Sequence, residues 1–302
     1  MPAKFRDVFT NQGVDDDGVN TPTIIVPLHG SNMVALTGGK GVRPVPVDKS
    51  PKIKIVEVNR AIFDFLRLMG AEPASPFSAD TRIFEIDGRL PGESDVKAGD
   101  AKLHVSVLKP RSVKIAIRPV QVRNDNGAIV PHAQVTFDIP KLVEMMNQIW
   151  TAQANIVFEL VSSDPILVDD EVAIARALDL KAQRAKLPSS VNIVAFAEMF
   201  DGFKDPKADF TYFLVHRVID RNKGQSGLGL PVTGSSSRLF PVSFIGDDMN
   251  DSTMAHEAGH LLGFKGHSET GSKMLMNAGG PGVGLGKIPA GWAKTFNKGG
   301  SK

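Results

Sequence analysis

The segment His256-Glu257-Ala258-Gly259-His260 sets two imidazoles and a carboxylate at the spacing used by metal-assisted hydrolysis. At ordinary His and Glu frequencies, H-E-x-x-H arises by chance in such a chain about one time in a hundred. Two histidines separated by one helical turn can hold a single cation, because the helix brings both rings to one side. Zinc is the cation this pattern predicts. Glu257 follows His256 directly, so its carboxylate projects beside the metal without being forced to ligate it. There it is placed to hold a water, take its proton during attack on a peptide carbonyl, and pass that proton to the leaving amine.

A helix must present these groups. Asp251 is the expected cap, and the helix should run through Leu262. At about 100° per residue, Met254, Ala258, Leu261 and Leu262 occupy one arc, while His256 and His260 lie together opposite it.

Two histidines leave a catalytic zinc short of its usual three protein ligands. Downstream the chain reads Leu261-Leu262-Gly263-Phe264-Lys265-Gly266-His267-Ser268. Here it resembles the metzincin clan of metallopeptidases, whose signature is H-E-x-x-H-x-x-G-x-x-H. Gly263 falls on the clan's glycine, where the chain turns sharply out of the helix in a left-handed conformation. His267 stands four residues past Gly263, one more than the clan's spacing, with Gly266 to absorb the extra residue.

The resemblance implies zinc on His256, His260 and His267, with Glu257 as the catalytic base. It implies a methionine turn in Met274-Leu275-Met276-Asn277, with Met276 favoured over Met274 beneath the metal. It also implies an edge strand that pairs with extended substrate, expected within residues 238–244. Trp292 and residues 279–291 would line the pocket for the side chain after the scissile bond, or form a tail. His216 and then Glu269 are the substitute third ligands, although an outward polar residue on an alternating strand is the commoner reading of His216. His29, His104 and His132 lack partners at metal spacing and are assigned nothing. Gly282, Gly284 and Gly286 do not follow a strand and open a helix, so no nucleotide loop is expected.

At 302 residues the chain suits two domains after an amino-terminal segment, residues 1–21. Strand signals at 23–26, 53–58, 82–86 and 103–107 recur between Gly, Pro and Asp turns, the pattern of a small β-sandwich. Residues 62–69 break it with helical spacing. Residues 22–109 resemble bacterial Ig-like domains, chiefly through Ile83 to Gly92 and Lys102 to Val107, and that resemblance carries no catalytic residue. After a linker at Lys109-Pro110-Arg111, strands and helices alternate. Strands are expected at 113–122, 155–160, 192–196, 212–218 and 238–245. Asp138 should cap a helix with Pro140 in its first turn and Leu142, Met145, Met146, Ile149 and Trp150 as its apolar stripe, and a second helix is expected at 171–186. The metzincin resemblance covers residues 110–302. The fold class is therefore α+β: an Ig-like β-sandwich followed by a metzincin-like catalytic domain, a twisted mixed sheet with an active-site helix.

The balance of 35 basic and 33 acidic residues, interspersed to a net +2, gives no reason to expect nucleic acid as a partner. The absence of cysteine excludes disulfides, thiolate ligands and a thiol nucleophile. No apolar run reaches the ~20 residues of a membrane span. Protein or peptide is the expected partner; oligomeric state and localisation stay open. The rival reading from another class is a binding or adhesion protein in which the β-domain does the biology and the metal site is structural or vestigial.

Overall fold

A computed structural model of the chain describes residues 2–8, 14–15, 21–48, 51–59, 61, 64, 80–124, 126–168, 200, 202–216, 227–229, 241–247, 249–250, 252–264, 275, 288 and 290–298. Its architecture is mixed α+β with more strand than helix.

Alternation decides the amino-terminal part. One sheet runs β1 (Lys4–Asp7), β4 (Ser31–Thr37), β7 (Arg82–Gly88), β6 (Ile53–Glu57), every pair antiparallel. The other runs β2 (Val14–Asp15), β3 (Thr23–Pro27), β9 (Ala101–Leu108), β8 (Gly92–Ala98), β5 (Val45–Pro46), with β3 and β9 parallel. Both sheets turn side chains into one core that includes Ile24, Val34, Phe84, Ile86, Val96 and Val105. The four expected strands are present. β8 escaped the sequence reading because its buried positions are Ser94, Val96 and Ala98, too small and polar to stand out. β1 precedes the expected boundary at residue 22 and pairs with β4. Within residues 62–69 only Asp64 is described, and it is helical.

The carboxy-terminal sheet is organised on β10 (Arg111–Arg123). Its first half lies between the parallel strands β12 (Ile156–Ser162) and β14 (Phe210–Leu214). β16 (Val242–Ile245) continues parallel to β14, and β15 (Gly227–Gly229) closes the order as an antiparallel edge. β11 (Ile129–Pro131) and β13 (Ile166–Leu167) pair with the far end of β10. Every residue of β14 and β16 is buried, as parallel strands covered on both faces require. Phe213 and Phe244 stack at 5.4 Å on one face, while Tyr212, Leu214 and Ile245 join the helices on the other. The expected helix at 171–186 and strand at 192–196 lie outside the described residues.

Three helices matter to the site: α1 (Ile139–Ala154), α2 (Thr253–Leu261) and α3 (Ala290–Asn297). Asp138 caps α1 by accepting from the Lys141 amide at 3.2 Å. Leu142, Met146, Ile149 and Trp150 form its buried stripe, Met145, expected in it, is only half-buried, and Asn155 ends the helix in a left-handed conformation with φ 51°. The Asn155 side chain donates to the Leu108 carbonyl at 2.6 Å, and the Asn32 side chain donates to the Ala152 carbonyl at 2.9 Å. Ile25 and Leu108 belong to the same core as α1. The expected linker at 109–111 is thus flanked by packed surface, and Asn297 binds the Lys109 carbonyl at 2.8 Å. No helix among the described residues is long and apolar enough to cross a membrane.

Candidate active site

α2 carries His256, Glu257 and His260, and every residue from Thr253 to Leu261 is buried. The two-sided wheel predicted from sequence is therefore covered on both sides. Met254, Ala255, Ala258, Leu261 and Leu262 pack into the core shared with α1 and the sheet. The amino end differs from expectation. Asp251 lies outside the described residues, and Ser252 occupies the cap position without a side-chain cap bond. Asn250 organises the start instead: its side-chain oxygen accepts from the Ser252 amide at 3.0 Å and the Thr253 hydroxyl at 3.1 Å.

α2 is pinned from behind by Trp150. The fully buried indole donates from Nε1 to the Ala255 carbonyl at 3.0 Å, giving the polar end of a core residue its partner.

The carboxy end of α2 follows from one glycine. Gly263 has φ +113°, a conformation L side chains rarely adopt. Its amide donates to the His260 carbonyl and the Phe264 amide to the Gly259 carbonyl, both at 3.0 Å, the paired bonds of a Schellman turn. That turn aims the Phe264 carbonyl back at the helix, where His260 Nδ1 lies 2.9 Å from it. Trp292 packs on the Phe264 ring at 3.9 Å between centroids, so it supports this turn. Residues 279–291, its expected companions in a pocket, are described only at 288, 290 and 291.

His256 is held in the same way, with Nδ1 2.5 Å from the Leu275 carbonyl. A carbonyl only accepts, so each ring carries a proton on Nδ1, which leaves Nε2 as the nitrogen that can ligate. This is the tautomer of a metal-ligating histidine, whose far nitrogen donates to a carbonyl or carboxylate. The two rings stand 5.0 Å apart and nearly perpendicular, at 79°. Exposures of 8% for His256, 5% for Glu257 and 7% for His260 place the chemistry in a water-poor environment where charges act strongly.

The described residues thus bring together two of the three expected ligands and the base. His267, Glu269, Met274 and Met276 lie outside them, and no group of three ligating side chains occurs among the described residues. His216 is engaged elsewhere: its Nδ1 is 2.6 Å from Asp247 Oδ2, and its amide donates to His132 Nδ1 at 3.1 Å. His132 therefore has a partner that sequence did not reveal. Its pKa is lowered, first by burial and then by the neighbouring His216, against the pull of Asp247. His104 also has partners, Glu93 and Asp95, each at 2.7 Å.

The strand expected to bind extended peptide needs correction. Val242–Ile245 is β16, paired on both sides by β14 and β15, so its backbone groups are already used. Among the described residues the edge is β15, and α2 packs beside it.

Sequence reasoning missed Leu275, Phe264 and Trp150. The first two act through backbone carbonyls, which leave no residue signature. Trp150 was read only as part of an apolar stripe.

Alanine at position 263 tests the turn. Nothing lies within 4 Å of a Cβ built there, so the penalty is backbone strain, about 1–3 kcal/mol. Gly263→Ala should release the Phe264 carbonyl from His260 and, if the two imidazoles hold zinc as the motif predicts, weaken that binding by about 10–100-fold, read by competition with a chelator. Unchanged affinity would separate the turn from the metal.

No family model matches the chain, and no curated protein matches it. Among solved structures it is similar to one described as "Structure of a chaperone-substrate complex", with 12% sequence identity and a TM-score of 0.34. The match covers 72% of this chain and 44% of that one, so this chain spans less than half of its neighbour's length.

Proposed function

We propose that this chain is a zinc-dependent endopeptidase of the metzincin type, with zinc held by His256, His260 and His267 and with Glu257 as general base. The observation that carries the reading is the pair of Nδ1 contacts, His256 to the Leu275 carbonyl and His260 to the Phe264 carbonyl. Two buried imidazoles fixed in the same tautomer on one helical face fit a zinc ion by both donor type and orientation. The positive φ of Gly263 and the mixed sheet beside α2 support the same clan. The two antiparallel-rich sheets around one core support an Ig-like unit ahead of it.

Zinc in such a site supplies Lewis acidity, bringing the pKa of a water down to about 7 and polarising the scissile carbonyl. Glu257 takes the proton from the attacking water and returns it to the leaving amine. The Leu275 and Phe264 carbonyls keep both imidazoles oriented while charge develops. Extended substrate adds to the β15 edge through its backbone, beside the helix that carries the base.

Zinc titration of the metal-stripped chain, paired with hydrolysis of a generic unfolded protein, tests this. One zinc per chain is expected, lost in His256→Ala together with hydrolysis. Zinc binding without hydrolysis of any protein or peptide would favour the rival binding or adhesion role with a structural metal. No zinc binding would remove the reading.

A further inference from the structure

The amino-terminal sheets bury apolar side chains that their own core does not use. Along β3, Ile24 and Val26 point into the space between the two sheets, while Ile25 points the opposite way and is buried as well. Ile25 and Leu108 belong instead to the core that holds Ile149, Trp150 and Ala154 of α1. A strand with one face in water alternates apolar and polar residues. Thr23-Ile24-Ile25-Val26 does not, and α1 packs on β3.

Hydrogen bonds cross the same junction. An α-helix ends in carbonyls that have no partner within it, and the last residues of α1 are buried, so these groups need donors from elsewhere. The buried Asn32 side chain supplies one. Its two amide hydrogens go to the Ile25 carbonyl at 2.5 Å and to the Ala152 carbonyl at 2.9 Å, the first on β3 and the second on α1. Asn297 of α3 serves the Ala154 carbonyl at 2.9 Å, and the Arg111 amide serves the Asn155 carbonyl at 2.9 Å. In the reverse direction the Leu108 carbonyl accepts from the Leu28 amide at 2.8 Å and from the buried Asn155 side chain at 2.6 Å, again one partner from each side. Separating the two parts of the chain would return Ile25 and Leu108 to water and break the bonds of Asn32 and Asn155 across the junction.

We propose that the amino-terminal β-sheets are a structural partner of the helix that bears His256 and His260, so that the two parts of the chain unfold as one, coupled from Asn32 through α1 to α2. Ala152, whose carbonyl Asn32 holds, lies two residues from Trp150, and the Trp150 indole donates to the Ala255 carbonyl at 3.0 Å. The β-sheets thus brace the far side of α1, the helix that pins α2. This is a different role from that of a free-standing spacer or adhesion module, and it depends neither on zinc nor on the peptidase reading.

Urea unfolding of the full chain in the presence of a chelator tests the coupling. Both tryptophans and the single tyrosine follow Arg111, so intrinsic fluorescence reports the carboxy-terminal part alone. Leu36→Ala and the milder Val96→Ala open cavities in the core between the amino-terminal sheets, in side chains outside the core of α1. Each should lower the fluorescence midpoint together with that of far-UV circular dichroism, in one coincident transition. For Leu36→Ala the unfolding constant should rise by about 30-fold or more. Asn32→Ala, which leaves the Ala152 carbonyl without its donor, should raise it by about 5- to 150-fold by the same probe. A fluorescence transition that stays at the wild-type midpoint in Leu36→Ala or Val96→Ala, while circular dichroism shows a separate earlier phase, overturns the proposal. So does a native tryptophan signal in a variant whose amino-terminal part no longer folds. An unchanged fluorescence midpoint in Asn32→Ala overturns the route through Ala152.

Discussion

On the proposed peptidase reading, replacing Glu257 with Gln should lower peptide hydrolysis by about two to four orders of magnitude while zinc stays bound. The side chains match in shape, and α2 is buried through core contacts made by Met254, Ala255, Ala258 and Leu261, none of which the change touches. The two imidazoles keep their carbonyl partners at Leu275 and Phe264, so the zinc donors are undisturbed. What disappears is the group that takes the proton, because an amide does not accept one at neutral pH. At 5% exposure little bulk water reaches the position to replace it. The measurement is kcat/KM on a protein substrate together with zinc stoichiometry and the unfolding midpoint. A rate within a few-fold of wild type, at equal zinc content, removes Glu257 as the base.

Trp150→Ala should destabilise the fold by about 3–5 kcal/mol, the range for removing a large aromatic from a packed core. The indole is fully buried and makes edge-to-face contacts with Phe158 at 6.2 Å and Phe296 at 5.7 Å. It also reaches across to α2 through the Ala255 carbonyl at 3.0 Å. One side chain thus ties α1, β12, α3 and the helix that bears the histidines. Trp150→Phe separates the two contributions: it keeps much of the apolar volume and drops only the hydrogen bond, with a cost of about 0.5–1.5 kcal/mol. Urea unfolding in the presence of a chelator measures both. A loss below about 1 kcal/mol for the alanine variant would mean that the site collapses onto the cavity and that α2 is held by other contacts.

Much of the helical scaffold was legible because its signals are local. Asp138, Pro140 and the stripe from Leu142 to Trp150 specify α1 within one stretch of chain, and the structure follows them. The spacing of His256 and His260 likewise fixes that both lie on one side of a helix, and Gly263 marks where that helix must end. The strands at 82–86 and 103–107 were legible through β-branched and aromatic residues between turns. Residues such as Ser94 and Ala98 were not, because small side chains become core only once the opposite sheet has closed over them.

The chemistry of the site required tertiary structure. Position along the chain says that 242–245 is apolar and extended, but whether it is an edge or an interior strand depends on β15 pairing beside it. Nothing near His216 announces Asp247, which reaches it from the end of another strand. The tautomers of His256 and His260 depend on the carbonyls of Leu275 and Phe264, and a carbonyl belongs to every residue alike. The sequence by itself determined the spacing of the histidines and base, the turn glycine and the apolar face of α1, because helical period and backbone conformational preference act over a few residues. Only the folded chain decided the sheet edge and the imidazole orientations, because each depends on groups that are far apart in sequence and on backbone atoms that carry no residue identity.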